Sequence, residues 1–142
     1  MRNYQSLAKY FIFLIAIVIV ATLNTAHSKT KEEVDLFFEK MANNVTAERS
    51  KYSDPVTEVI KVKYDKKKTE LNYYYTTTAI QDGVKLDDNQ VLIAKTLVTD
   101  AGCKSLGAFM RLYNLKIKHI YYNKSTNNQV MKFEITKNDC KK

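Results

Sequence analysis

The sequence predicts an α+β fold with a four-stranded antiparallel sheet, helices packed on one face and one disulfide. Some segments have apolar residues at helical spacing, and four others have the two-residue alternation of a strand, with one face more apolar than the other. The strand-like segments form two pairs, each joined by a turn, on either side of a helical stretch. Two hairpins that flank a helical stretch favour an antiparallel sheet covered by helices, and the predicted order is α-β-β-α-α-β-β.

The first 28 residues have the pattern of a secretory signal peptide. Arg2 and Lys9 are basic, the run 10–23 is uncharged and apolar, and small residues occupy the −3 and −1 positions of a cleavage site before Lys29. The alternative is a retained membrane anchor, for which this run is short, because a spanning helix needs roughly 20 apolar residues. We therefore predict a signal peptide over 1–28 and a single exported domain over 29–142, periplasmic or secreted.

The exported part is basic. Loss of Arg2 and Lys9 leaves 21 of the 23 basic residues against 15 acidic ones, a surplus of +6. Such a surplus favours acidic partners, which include nucleic acid, anionic headgroups and acidic protein faces. The lysines are spread along the chain, which is typical of a solvated surface. We therefore expect a protein partner, no nucleic acid, and membrane contact only through an uncleaved signal segment.

The helices are predicted from their caps and apolar stripes. Thr30 and Glu33 form a capping-box pattern before a helix of about 15 residues. Asp87 or Asp88 caps a second helix to about residue 101, where Gly102 is placed to end it. A further short helical turn is expected over 105–112.

The strands are predicted from their alternation. The first hairpin pairs 57–64 with 69–78, and the second pairs 116–123 with 129–136. The residues expected on one face of their strands are Ile60, Val62, Tyr64, Leu71, Tyr73, Tyr75, Ile117, His119, Tyr121, Met131, Phe133 and Ile135.

Two cysteines are present, Cys103 and Cys140. Behind a signal peptide an even number predicts a disulfide. The bond would close a long loop, which on the chain-entropy model removes roughly 4 kcal/mol of denatured-state freedom. It would tie the last strand to the end of the second helix.

No catalytic residue, metal site or cofactor is predicted. His119 is the one histidine of the exported part, and no neighbouring residue in the sequence would orient it as a general base. One histidine and two bonded cysteines do not make a zinc site. The acidic residues are explained by helix starts and turns, although carboxylates that assemble only in space leave a small hydrolase as an alternative.

Tyrosine is unusually abundant. The candidate binding surface consists of Tyr73, Tyr74, Tyr75, Tyr121 and Tyr122. An aromatic sheet face with basic edges can stack single-stranded nucleic acid, whereas sheets favour tyrosine for packing alone. An exposed tyrosine face more often binds protein.

Four features of the sequence together resemble a known group of proteins. They are the tyrosine-rich strand 71–75, the helix ending in Cys103, and the segments 120–124 and 132–136 before Cys140. This pattern resembles small bacterial periplasmic proteins of unassigned function. The layout also resembles one class of type II secretion pilotins, which escort a secretin to the outer membrane. Pilotins are typically lipoproteins, and the absence of a cysteine near residue 29 predicts a protein without a lipid anchor.

Together these features predict a non-enzymatic protein-binding domain or an accessory of the envelope or of secretion. The alternative is a secreted inhibitor or effector that acts on a host or competitor protein. Periplasmic recovery would favour the first function, and recovery from the growth medium would favour the second.

Overall fold

The computed structural model describes residues 29–140, so the predicted signal segment 1–28 lies outside the described residues. Within them the chain forms two helices, a 3-10 turn of helix and four strands. Their bounds are α1 Lys31–Ala47, the 3-10 helix Arg49–Tyr52, β1 Thr57–Asp65, β2 Glu70–Thr77, α2 Asp88–Tyr113, β3 Lys116–Asn123 and β4 Gln129–Ile135.

The four strands lie in the order β1-β2-β3-β4. The hairpins β1–β2 and β3–β4 are antiparallel, as predicted. The central pair β2–β3 is parallel, with Glu70 opposite Lys116 and Thr77 opposite Asn123. The prediction of a purely antiparallel sheet is therefore wrong, and the sheet is mixed.

The parallel pair follows from the length of α2. This helix has 26 residues without a break, so it spans about 39 Å, more than the length of a strand in this sheet. It returns the chain to the end of the sheet where β2 begins, and the Lys116 amide donates to the Thr69 carbonyl at 3.0 Å. The prediction of two helices separated at Gly102 is wrong.

Gly102 does not end α2 because it lies on the side of the helix that packs on the sheet. A Cβ atom there would lie 3.7 Å from Ile135 Cδ1 and 3.8 Å from Ile117 Cδ1, which is ordinary contact. The helix ends instead at Asn114, whose φ of 57° is the left-handed conformation of a C-cap.

Both helices cover the same face of the sheet, as predicted. In α1, which begins with the predicted capping box of Thr30 and Glu33, the Phe38 ring lies 5.4 Å from the Tyr64 ring. The same Phe38 ring lies 5.1 Å from the Phe109 ring of α2. We call the sheet face that the helices cover the inner face. The core fills the space between the inner face and the two helices.

One predicted side-chain direction is wrong. A bulge shifts the register of β1 between Val59 and Lys61, so Val59 and Val62 are buried while Ile60 is exposed. A bulge adds one residue to a strand, so the residues before and after it no longer follow a single alternation. An uninterrupted alternation therefore placed Ile60 on the same face as Val62.

The predicted disulfide between Cys103 and Cys140 is confirmed, with the two Cα atoms 5.3 Å apart. Because α2 is unbroken, the bond joins the chain after β4 to the middle of this helix, and the prediction of a bond at the helix end is corrected. The segment after β4 is also held to α2 by an ion pair between Lys95 and Asp139 at 2.8 Å.

We expect Gly102→Ala to raise the free energy of unfolding by about 0.5–1 kcal/mol, because alanine favours a helix interior and the added methyl group meets ordinary contacts. Gly83→Ala is the control: Gly83 has a φ of +77°, so the change should cost about 1 kcal/mol. Urea unfolding measures both. A loss of stability in Gly102→Ala would contradict the continuous helix.

Candidate functional site

The five tyrosines predicted as a binding surface do not form one surface. Tyr73, Tyr75 and Tyr121 lie on the inner face and are buried in the core. Tyr74 and Tyr122 are on the opposite face of the sheet and are partly exposed. The inner three contribute to packing, and Tyr121 also lines a cleft. A binding role for the tyrosines stays a prediction.

The inner tyrosines belong to a buried aromatic cluster around His119. The His119 ring stacks at centroid distances of 5.3 Å on Tyr73, 5.8 Å on Tyr75 and 5.0 Å on Phe133. The rings of Tyr75 and Tyr121 stack at 4.5 Å. Alternation in three adjacent strands brings these rings into one layer.

Polar atoms in this cluster are only partly paired, because His119 Nε2 has no hydrogen-bond partner among the described residues. The Tyr75 hydroxyl and His119 Nδ1 are 3.0 Å apart, and the phenols of Tyr75 and Tyr121 interact electrostatically. Burial lowers the pKa of His119 to about 3 and raises the pKa of Tyr75 and Tyr121 well above the usual value. His119 is only 1 % exposed, so it is a neutral core residue out of reach of a substrate.

A cleft of about 640 Å³ lies between α2, the chain that leaves β2 and the sheet, and we call it the apolar cleft. Tyr121 and Met131 of the sheet line it, and Gln81 and Gln90 contribute amide groups. Its aliphatic walls consist of Ile80, Val84, Leu86, Ile93, Ala94 and Leu97.

Two of these wall residues expose a large apolar area to solvent. The exposed fractions are 54 % for Ile93 and 46 % for Val84. Apolar surface exposed in a cleft is where the apolar groups of a ligand can be buried.

Two hydrogen bonds from the end of β3 and the β3–β4 turn hold the chain that forms one wall of the cleft. The Asn123 side-chain amide donates to the Ile80 carbonyl at 2.9 Å. The Asn128 side-chain amide donates to the Asp82 carboxylate at 3.0 Å. The opposite wall is positioned by the start of α2, where Asp87 and Gln90 form a capping box. Contacts within the chain therefore hold both walls of the cleft.

Sequence reasoning missed the apolar cleft, because Val84 and Leu86 belong to a segment without periodicity. One indication was available in α2. Leu92 and Ile93 follow Val91 directly, and three consecutive helical residues cannot all face one core. At least one of these three side chains must therefore point away from the sheet.

A second, more open cleft lies beside the disulfide and has a volume of about 840 Å³. Four of its charged groups are paired, Lys95 with Asp139 at 2.8 Å and Lys104 with Asp100 at 2.6 Å, and Arg111 also lines it. Because most of these charges already satisfy one another, the apolar cleft is the better candidate for a binding site.

Within residues 29–140 no three His, Cys, Asp or Glu side chains come together as ligands for a metal ion. No helix in the same range combines the length and the apolar composition that crossing a bilayer requires.

No family model matches the chain, and no curated protein matches it. Among solved structures, a protein of Pseudomonas aeruginosa assigned as secreted is similar, with 13 % identity and a TM-score of 0.49 over 80 % of this chain and 99 % of that one. A pilotin of the type 2 secretion system of Vibrio vulnificus is similar with 14 % identity and a TM-score of 0.48, over 78 % and 98 %. Similarity at this level of sequence identity does not indicate a shared function.

We expect the stability to fall by about 2 kcal/mol from about pH 7.5 to about pH 5, because the unfolded chain binds a proton at the usual histidine pKa while folded His119 does not. The loss begins near pH 6.5 and continues towards pH 3, the folded pKa. Urea unfolding at several pH values measures it.

His119→Phe is the matched variant and should flatten this dependence, whatever its effect on absolute stability. The carboxyls with lowered pKa, including Asp35 and Asp139, contribute only at lower pH. An equal slope in both proteins above pH 5 would contradict the neutral, buried histidine.

Proposed function

We propose that this chain is an exported, non-enzymatic protein-binding domain that serves as an accessory in envelope assembly or secretion. The apolar cleft is the observation that carries the proposal. Its occupant is an amphipathic segment of a partner protein that inserts aliphatic side chains between α2 and the segment 80–86.

The shape and lining of the cleft support a peptide segment as the occupant. A volume of about 640 Å³ accommodates several aliphatic side chains. The amides of Gln81 and Gln90 can form hydrogen bonds with a peptide backbone at the cleft. Anchoring of a few apolar side chains in a formed pocket is how most binding energy arises at protein interfaces.

Charges around the cleft favour basic residues beside the inserted side chains. The chain from 80 to 88 carries Asp82, Asp87 and Asp88 against one lysine, Lys85. Complementary charge sets the orientation of a partner and suppresses incorrect ones. The proposed segment therefore combines aliphatic residues with flanking lysine or arginine.

A non-enzymatic role is supported by the chemistry of the cleft. Among the described residues that line it, Tyr121 is the one ionisable side chain, and burial keeps its phenol protonated. General acid–base catalysis needs a group whose pKa lies near the working pH and that can reach the substrate. The remaining ionisable groups of the buried cluster, His119, Tyr73 and Tyr75, are enclosed.

The location is proposed from the signal-like pattern of residues 1–28 together with the disulfide, since such bonds persist in oxidising compartments. Fractionation of the exporting cell separates the two roles considered. Retention in the periplasm or envelope supports the accessory role. Release into the growth medium would instead favour an inhibitor or effector.

Ile93→Glu should weaken binding of the partner segment at least about tenfold, because it places a charge in the apolar cleft. Leu92→Glu is the matched control: Leu92 is the preceding residue of α2, is 59 % exposed and lies outside the apolar cleft. The control should change the affinity less than about twofold.

A photo-crosslinking residue at position 93, introduced in the exporting cell, identifies the partner segment, and titration of that segment against each variant gives the affinities. We expect a specific cross-link from position 93 that is absent from position 92. Equal cross-linking from both positions, or equal affinity of the two variants, would contradict the proposal.

A further inference from the structure

The end of the molecule opposite the apolar cleft carries a concentration of positive charge, which we call the basic end. It consists of the start of α1, the β1–β2 turn and the junction of α2 with β3, residues 29–35, 65–69 and 111–116. These segments contain seven basic and four acidic residues, a surplus of +3.

Direct contacts bring the three segments together. The Tyr113 hydroxyl donates to the Lys29 carbonyl at 2.6 Å, and the Tyr64 hydroxyl, just before the turn, donates to the Asp35 carboxylate at 2.6 Å. The Lys116 amide donates to the Thr69 carbonyl at 3.0 Å. The surplus of charge is therefore a property of one surface.

Much of this charge is available to a ligand. Lys31 pairs with Asp35 and Lys68 pairs with Asp65. Lys66 and Lys67 are exposed and have no ion-pair partner among the described residues, whereas the guanidinium of Arg111 is turned back along α2 towards Gly107 and the second cleft. Three lysines in succession on a tight turn give this surface a high local density of positive charge.

The opposite end has the reverse sign. Residues 48–58, 77–88 and 123–129 contain six acidic and four basic residues, a net charge of −2. The apolar cleft lies at that end, beside the first half of α2. Because α2 has 26 residues, about 39 Å of helix separates the two ends. The molecule is thus an electrostatic dipole along α2.

Two further features of the basic end point to a bilayer surface as its ligand. Leu112 is 49 % exposed there, beside Arg111, and an apolar side chain among cations is typical of proteins that rest on headgroups. The apolar run 10–23 also joins the domain at this end, since Lys29 is part of it. Until the predicted cleavage before Lys29, this run therefore leaves the domain from the basic end.

We infer that the basic end binds the anionic headgroups of a phospholipid bilayer, with Leu112 dipping into the interface. Binding in this orientation directs the apolar cleft away from the membrane, towards a partner. Because the basic end and the apolar cleft share no residue, a variant can lose lipid binding and keep partner binding, or the reverse.

The test measures partition of the protein, as the cell exports it, onto vesicles of phosphatidylethanolamine and phosphatidylglycerol. Each basic residue near an anionic surface contributes roughly fivefold in partition. The triple variant Lys66→Gln, Lys67→Gln, Lys68→Gln should therefore bind about 100-fold more weakly. Partition should also fall as salt rises to about 0.15 M and be undetectable on phosphatidylcholine vesicles.

A second triple variant has the same net charge and controls for non-specific attraction. Lys40→Gln, Lys85→Gln and Lys132→Gln alter exposed lysines outside the basic end and should reduce partition less than about fivefold. Equal losses in the two triple variants would overturn the inference, as would tighter binding to double-stranded DNA than to vesicles at equal phosphate concentration.

Orientation is tested separately, because the chain contains no tryptophan. In Leu112→Trp the emission should shift to shorter wavelength on vesicles as the indole leaves water. In Leu92→Trp, on the first half of α2, the emission should stay unchanged. A shift at position 92 without one at position 112 would overturn the inference.

Discussion

Neighbouring parallel strands need a connection that runs back along the whole length of the sheet, and in this chain α2 is that connection. Its 26 residues leave the sheet at the end of β2 and return to the start of β3. The first half of α2 therefore faces the segment 80–86 across the apolar cleft, and its last turn meets the start of α1 at the basic end. The disulfide at Cys103 holds the middle of this helix to the chain after β4.

Much of the fold could be predicted from local patterns. Alternation placed Tyr73, Tyr75 and His119 on one face correctly, because the period of a strand is a backbone property. It failed at Ile60, where a bulge depends on pairing with β2. Gly102 was misjudged because glycine disfavours a helix interior only slightly, by about 1 kcal/mol, while the residues that follow it bury a large apolar face. A helix that ends at Gly102 is too short to return the chain along the whole sheet, so the parallel pairing of β2 with β3 could not be inferred from it.

The candidate site was less predictable than the fold. A count of tyrosines does not say which face each one occupies, and the inner three stabilise the core around His119. The apolar cleft depends on how Val84 and Ile93, from an irregular segment and a helix, meet in space. Such a meeting is a tertiary property without a sequence period. The basic end likewise combines three segments that are distant in the sequence, and only one of them, the run Lys66-Lys67-Lys68, is conspicuous by itself.

The most direct test is the register of β2 against β3, because the cleft and the basic end both depend on the return of α2. Backbone nuclear Overhauser effects in isotope-labelled protein report which residues of the two strands are opposite. The parallel sheet predicts contacts of Glu70 with Lys116 and of Thr77 with Asn123. Contacts of Glu70 with Asn123 and of Thr77 with Lys116 would show an antiparallel pair and contradict the account.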